Sequence, residues 1–87
     1  MITVERMDER TFKVTVESGK TTKHTVTVDP SYRRKLTGDR VSAEDLVKKS
    51  FEFLLERESN TSILPKFDLP VIHRYFPEYE ETIARMF

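Results

Sequence analysis

The chain has 87 residues, no cysteine, no tryptophan, and fifteen basic against fifteen acidic side chains, for a formal net charge of zero. That length suits one small domain rather than two independent cores, and the lack of cysteine excludes a disulfide framework and a thiolate zinc site. Leu, Ile, Val and Phe supply 24 residues, enough for a packed core, no run of ~18 apolar residues is present to span a membrane, and the charged start MITVERMDER does not read as a signal peptide, so a cytoplasmic globular protein is expected.

The first third alternates with a period of two. Ile2 and Val4 alternate with Thr3 and Glu5; Phe12, Val14 and Val16 with Lys13, Thr15 and Glu17; Val26 and Val28 with Thr25 and Thr27. This pattern predicts strands with one buried and one wet face, and the β-branched threonines suit the wet side. Met7–Arg10 reads as one turn, and Gly19, within Ser18–Lys23, as the centre of a hairpin. A three-stranded antiparallel meander follows.

Asp29-Pro30 ends the sheet and opens a short helix to about Leu36, with Asp29 as N-cap and Pro30 in the first turn. Tyr32 and Leu36, four apart, would dock it, and Gly38 would stop it in the left-handed conformation. Between Val41 and Arg57, Ser42 and Asp45 form a capping-box pattern, Val41 and Leu46 a hydrophobic staple, and Leu46, Val47, Phe51, Leu54 and Leu55 recur at helical spacing. The spacing predicts one long amphipathic helix lying on the meander, an α+β domain over residues 1–87. Asn60 would cap its C-terminus. Three prolines then fall within thirteen residues, at Pro65, Pro70 and Pro77. They limit the rest to a short helical stretch from Leu69 to Phe76 and a terminal helix opening at Pro77, with Tyr79, Ile83 and Met86 inward.

No catalytic constellation emerges. Ser31, His24 and Asp29 could be drawn as a triad, but His24 and Asp29 are an odd number of residues apart on an expected strand and face opposite ways. Neighbouring carboxylates such as Glu80-Glu81 do not converge on a helix. A third arrangement, a pocket around Asp68, His73 and Arg74, has no reaction to attach to it. No metal-ligand spacing, glycine-rich phosphate loop or cofactor motif is present, so no metal and no cofactor are expected.

Two binding readings remain. Phe67, Tyr75, Phe76 and Tyr79 belong to an aromatic cluster near the C-terminus, which either packs a core or meets a protein partner or a second copy of the chain. An exposed sheet edge offers another route to a partner. Alternatively, Arg33, Arg34, Lys35 and Arg40, joined by Lys20, Lys23 and His24 of the hairpin, would form a basic patch for nucleic-acid phosphates. Charge is also uneven: residues 1–40 carry nine basic and six acidic side chains, and residues 41–87 the reverse.

At LTGDRVSAEDLVKKSFEFLLERE, NTSIL and FDLPVIHRYFPEYEE, the chain resembles a family of short, uncharacterised bacterial proteins. The resemblance spans nearly the whole chain and implies class and compartment, with no activity to carry over. A looser likeness, over the meander and SAEDLVKKSFEFLL, is to HicB-type antitoxin domains. The glycine- and proline-bearing strand of those antitoxins is missing and no DNA-binding tail follows, so this second resemblance implies architecture and not role.

Overall fold

The computed structural model describes residues 1–87. Three strands, β1 (Ile2–Arg6), β2 (Thr11–Ser18) and β3 (Lys20–Thr27), form the antiparallel meander that the alternation predicts. Val4 stands opposite Val14, and Phe12 opposite Val26, so the apolar sets of neighbouring strands share one face. In the first turn the Asp8 carboxylate accepts the N–H groups of Arg10 and Thr11, both at 2.8 Å, a local substitute for ladder bonds. The second turn is tighter than the sequence suggests. Ser18 pairs directly with Lys20, leaving only Gly19 at the tip, with φ +79°, where a side chain would be strained.

The sheet itself departs from expectation. A fourth strand, β4 (Lys66–Asp68), lies parallel to β3, so the sheet is four-stranded and mixed, in the order β1-β2-β3-β4, and not a three-stranded antiparallel meander. Its three residues sit between Pro65 and Pro70 and are too few to show a period of two. The pairing is tied at both ends, by Thr25 N–H to the Pro65 carbonyl (2.8 Å) and Leu69 N–H to the Thr27 carbonyl (2.9 Å).

Four helices complete the chain: α1 (Pro30–Thr37), α2 (Ala43–Leu55), α3 (Val71–Tyr75) and α4 (Tyr79–Arg85). The first two start where their caps dictate. The Asp29 carboxylate accepts the Ser31 N–H, and the Ser42 hydroxyl accepts the Asp45 N–H. Gly38 follows α1 at φ +68° but ψ −155°, positive in φ yet outside the left-handed helical well expected for it. Asn60 does not cap α2. It is buried in a 3₁₀ turn (Asn60–Ser62), and its amide reaches back to the Lys20 carbonyl (2.8 Å) and the Thr22 hydroxyl (3.0 Å).

One cluster of 19 buried side chains fills the space between the helices and the apolar face of the sheet. Phe12, Val14, Val16 and Val26 meet Leu46, Val47, Phe51 and Phe53 there, all at most 1% exposed. Each such side chain contributes about 1.5–3 kcal/mol by leaving water. The opposite face of the sheet has no helix over it. Across its strands it presents Thr3, Thr15 and Lys23 in one row, Glu5, Lys13, Thr25 and Lys66 in the next, and Thr11, Thr27 and Asp68 in a third. No helix is long and apolar enough to cross a membrane.

Candidate functional site

The sequence from the end of α2 to α3 builds one apolar groove of about 370 Å³. Leu54, in the last turn of α2, and Glu58, in the turn just after it with its N–H on the Leu54 carbonyl (2.9 Å), form one wall. Ser62, Ile63 and Leu64 follow from the connecting loop, Phe67 from β4, and Val71, Ile72, Tyr75 and Phe76 from α3 and its end. Eight of these ten residues are hydrophobic. Prolines shape this region: Pro65 and Pro70 hold β4 to three residues, so the chain turns straight from strand to α3. The lip stays open, with Leu64 42% and Tyr75 66% exposed.

The loop is fixed from beneath by a part-buried polar relay. The Asn60 amide donates to the Thr22 hydroxyl, the Thr22 hydroxyl meets His24 Nε2 (2.9 Å), and His24 Nδ1 meets the Leu64 carbonyl (2.8 Å). A carbonyl can only accept, so Nδ1 carries the proton, and in the neutral ring Nε2 accepts from Thr22. The His24 ring is 3% exposed and packs on Phe51 at 5.3 Å between centroids. His24 is therefore a core residue that positions Leu64, not a member of a basic patch; it shares the parity of Val26 and Val28 along the strand, a signal legible in the sequence.

Behind the groove, aromatic rings make its back wall. Phe53 meets Phe76 edge-on at 5.9 Å and Tyr79 at 5.2 Å. Arg57 lies 3.6 Å over the Phe53 ring, donates to the Phe53 carbonyl (3.0 Å) and pairs with Glu78 (3.2 Å). Glu58 is the one charged side chain among the groove residues and makes no ion pair. Burial against the apolar wall pushes its carboxyl above the usual carboxylate range.

Of the aromatic candidates, Phe67, Tyr75 and Phe76 come together in this groove. Phe67 is 8% exposed and forms the floor, and Phe76 is half-buried. Tyr79 does not join them. It is fully buried, and its hydroxyl lies 2.6 Å from that of Ser50. Ser50 donates its single hydroxyl hydrogen to the Leu46 carbonyl, so Tyr79 is the donor to Ser50. Burial pushes the Tyr79 phenol well above its ordinary pKa. Tyr79 therefore docks α4 and cannot offer its ring to a partner.

The hairpin lysines are not brought to the basic residues of α1. Lys23 stands on the open sheet face, whereas α1, carrying Arg33, Arg34 and Lys35, packs against α2 and α4 on the other side. Lys20 is at the hairpin tip, a full strand away from α1, roughly 26 Å at ~3.3 Å per residue. Arg33 donates to the Val41 carbonyl (2.9 Å), and Lys35 pairs with Glu80 (3.4 Å). Arg34 and Arg40 are exposed. Burial disfavours the Glu80 carboxylate, but the Tyr32 hydroxyl, His73 and Lys35 together hold its pKa below the usual range. Lys35–Glu80 and Arg6–Glu44 link the basic first half to the acidic second half, so part of the charge asymmetry is matched internally.

The drawn catalytic sets do not assemble either. Asp29 and Ser31 are bonded to one another at the start of α1, far from the His24 relay. The Asp68 carboxylate takes the Thr27 hydroxyl on the open sheet face, while His73 and Arg74 belong to α3. A second and larger concavity, about 850 Å³, is bounded by Asp8, Arg10, Thr27, Asp29, Asp68 and their neighbours. Its three aspartates already accept the bonds described above.

Seven of the ten groove residues, Glu58, Ile63 and Leu64 among them, were not singled out as site residues in the sequence. The available signal is the apolar pair Ile63-Leu64 just before Pro65. Compared with known families, curated proteins and solved structures, the chain matches none. Its site is read from its geometry.

Proposed function

We propose that this chain is a non-enzymatic, cytoplasmic protein-binding module that takes part of a partner protein into the groove between α2, β4 and α3. The observation that carries the reading is the groove itself: a formed apolar concavity with Leu64 and Tyr75 open at its lip. Monomeric proteins keep large exposed apolar groups apart unless something covers them, and partly exposed aromatics beside a pocket are the typical anchors of binding energy. The volume lies near the lower end of the ~300–1,000 Å³ common for ligand sites, which suits one or two anchoring side chains rather than a large cofactor.

The nucleic-acid reading has less support. Arg34 and Arg40 are free of ion pairs, but Arg33 and Lys35 are engaged within the fold, and the lysines of the open sheet face are interspersed with Glu5, Glu17 and Asp68.

Affinity capture from the protein's native cells, comparing the wild type with Tyr75→Ala and with Arg34→Ala/Arg40→Ala, separates the two. The groove reading expects a bound protein lost with Tyr75→Ala, retained with the arginine variant, and insensitive to nuclease. Capture that survives Tyr75→Ala but disappears with nuclease or rising salt overturns it in favour of phosphate contacts.

A further inference from the structure

We infer that the groove selects a partner segment in which a bulky apolar side chain is adjacent to a lysine or arginine, the apolar group seating between Phe67 and Tyr75 and the cation meeting Glu58. This rests on the protein-binding reading above and deepens it by assigning the chemistry of the occupant.

Charge complementarity argues for the cation. Every other groove residue is uncharged, and Glu58 has no cationic partner within the molecule. The adjacent Arg57 cannot supply one, because its guanidinium is held by Glu78, the Phe53 carbonyl and the Phe53 ring. The carboxylate thus sits partly desolvated beside an apolar wall. A negative charge in that position gains most from a cation delivered with its own apolar body, since both groups then leave water together. A partner carboxylate at the same place would meet like charge and be rejected.

The sheet edge argues for side-chain capture rather than strand addition. A partner strand added at the groove would have to pair along β4, since the other edge, β1, lies across the sheet; β4 is three residues long, preceded by Pro65 and bears Lys66 and Asp68 on its exposed positions. Short length, a flanking proline and charged side chains are the features that protect an edge from pairing. The Phe67 side chain, by contrast, points to the groove side. Recognition then falls to the apolar lining and Glu58, in the manner of a side chain or a helix face laid into a hydrophobic groove.

Three small probes with one phenyl group and different heads test this: phenethylamine, phenethyl alcohol and hydrocinnamate, titrated at neutral pH while backbone amide NMR signals are followed. Phenethylamine is expected to shift the amides of Ile63, Leu64, Phe67 and Tyr75 at the lowest concentration, with the alcohol weaker by roughly two- to five-fold, the range of a solvent-accessible ion pair, and hydrocinnamate weakest. Glu58→Gln is expected to bring the amine down to the alcohol and leave the alcohol unchanged. If the three probes bind alike, or the amine's advantage survives Glu58→Gln, the cation preference is wrong while the groove stands as a site. If no probe shifts those amides, the groove is not a site and the protein-binding reading falls with it. Concentration-dependent dimerisation abolished by both Glu58→Gln and Tyr75→Ala would make a second copy of the chain the occupant and overturn the assignment to a partner protein.

Discussion

Two of the molecule's three concavities differ in a way that size alone misjudges. The larger, near the β1–β2 turn and the start of α1, has four carboxylates and an arginine at its rim and looks at first like a place for chemistry. Yet Asp8 holds its own turn, Asp29 caps α1, and Asp68 takes the Thr27 hydroxyl. Its three aspartates are tied into the fold, and of its charged side chains only Glu9 and Arg10 are left without a bond. The smaller groove is the reverse: its polar content is little more than Ser62 and Glu58, and its apolar rim at Leu64 and Tyr75 meets water. The contrast is between aspartates already tied into turns and caps and an apolar rim left in water.

The strongest way to break this comparison is to remove what the groove leans on. Tyr79→Ala, which empties the wall behind Phe53 and Phe76, is expected to cost about 3–5 kcal/mol in urea unfolding, and probe binding is expected to vanish with the fold. Tyr79→Phe, which loses only the bond to Ser50, is expected to cost about 1 kcal/mol. In the polar concavity, Asp29→Ala is expected to destabilise by about 0.5–2 kcal/mol through loss of the α1 cap, with phenethylamine affinity unchanged. Altered affinity would show that the two concavities are coupled. Tyr75→Ala should do the opposite: unfolding within about 0.5 kcal/mol of the wild type, as for an exposed side chain, but clearly weaker probe binding by NMR titration.

The smallest effect is in the pH dependence, and its sign differs between the two regions. The hydrogen bond from the Ser31 side chain, then its backbone N–H, lowers the Asp29 pKa, and the backbone N–H of Arg10 does the same for Asp8. The unfolded chain binds protons more readily at these sites, so their contribution is present above the ordinary carboxylate range and lost as pH falls through it. Glu58 is raised by burial, so the folded chain binds its proton more readily, and its contribution declines as pH rises through the same range. Urea midpoints followed from about pH 3 to about pH 7 are expected to show a weaker acid-side decline for Asp29→Asn and a slight gain near neutral pH for Glu58→Gln. A common sign for both variants would remove the electrostatic distinction between the regions.

Much of the scaffold was legible in the sequence because short-range rules produced it. The alternation around Val14 and Val26, the Asp29-Pro30 start and the Ser42–Asp45 cap each depend on residues within a few positions of one another. The meander, the short α1 and the long α2 followed directly. What sequence reading missed depends on distance along the chain. Val26 pairs with Phe67, and Asn60 bonds to Lys20 and Thr22, contacts that no local pattern encodes. The groove shares that origin. Its aromatic members were visible as a cluster, but their division into floor, wall and interior, with Tyr79 on the inside, is set by how α3 and α4 dock. Lys20 and Lys23 of the hairpin lie apart from the basic run on α1 because a strand's length and the sheet itself stand between them.

The parallel seating of β4 on β3 also bears on the order of assembly. The chain between Val26 and Phe67 must first be gathered in, and closing so long a loop carries an entropic cost that is recovered only once the strand docks. The meander needs no such closure and can form on its own short connections. Phe67, the floor of the groove, thus arrives with the last piece of sheet. Any chain lacking that final step, whether newly made or partly opened, has no cavity to offer, so a partner that recognises the groove discriminates finished molecules from incomplete ones.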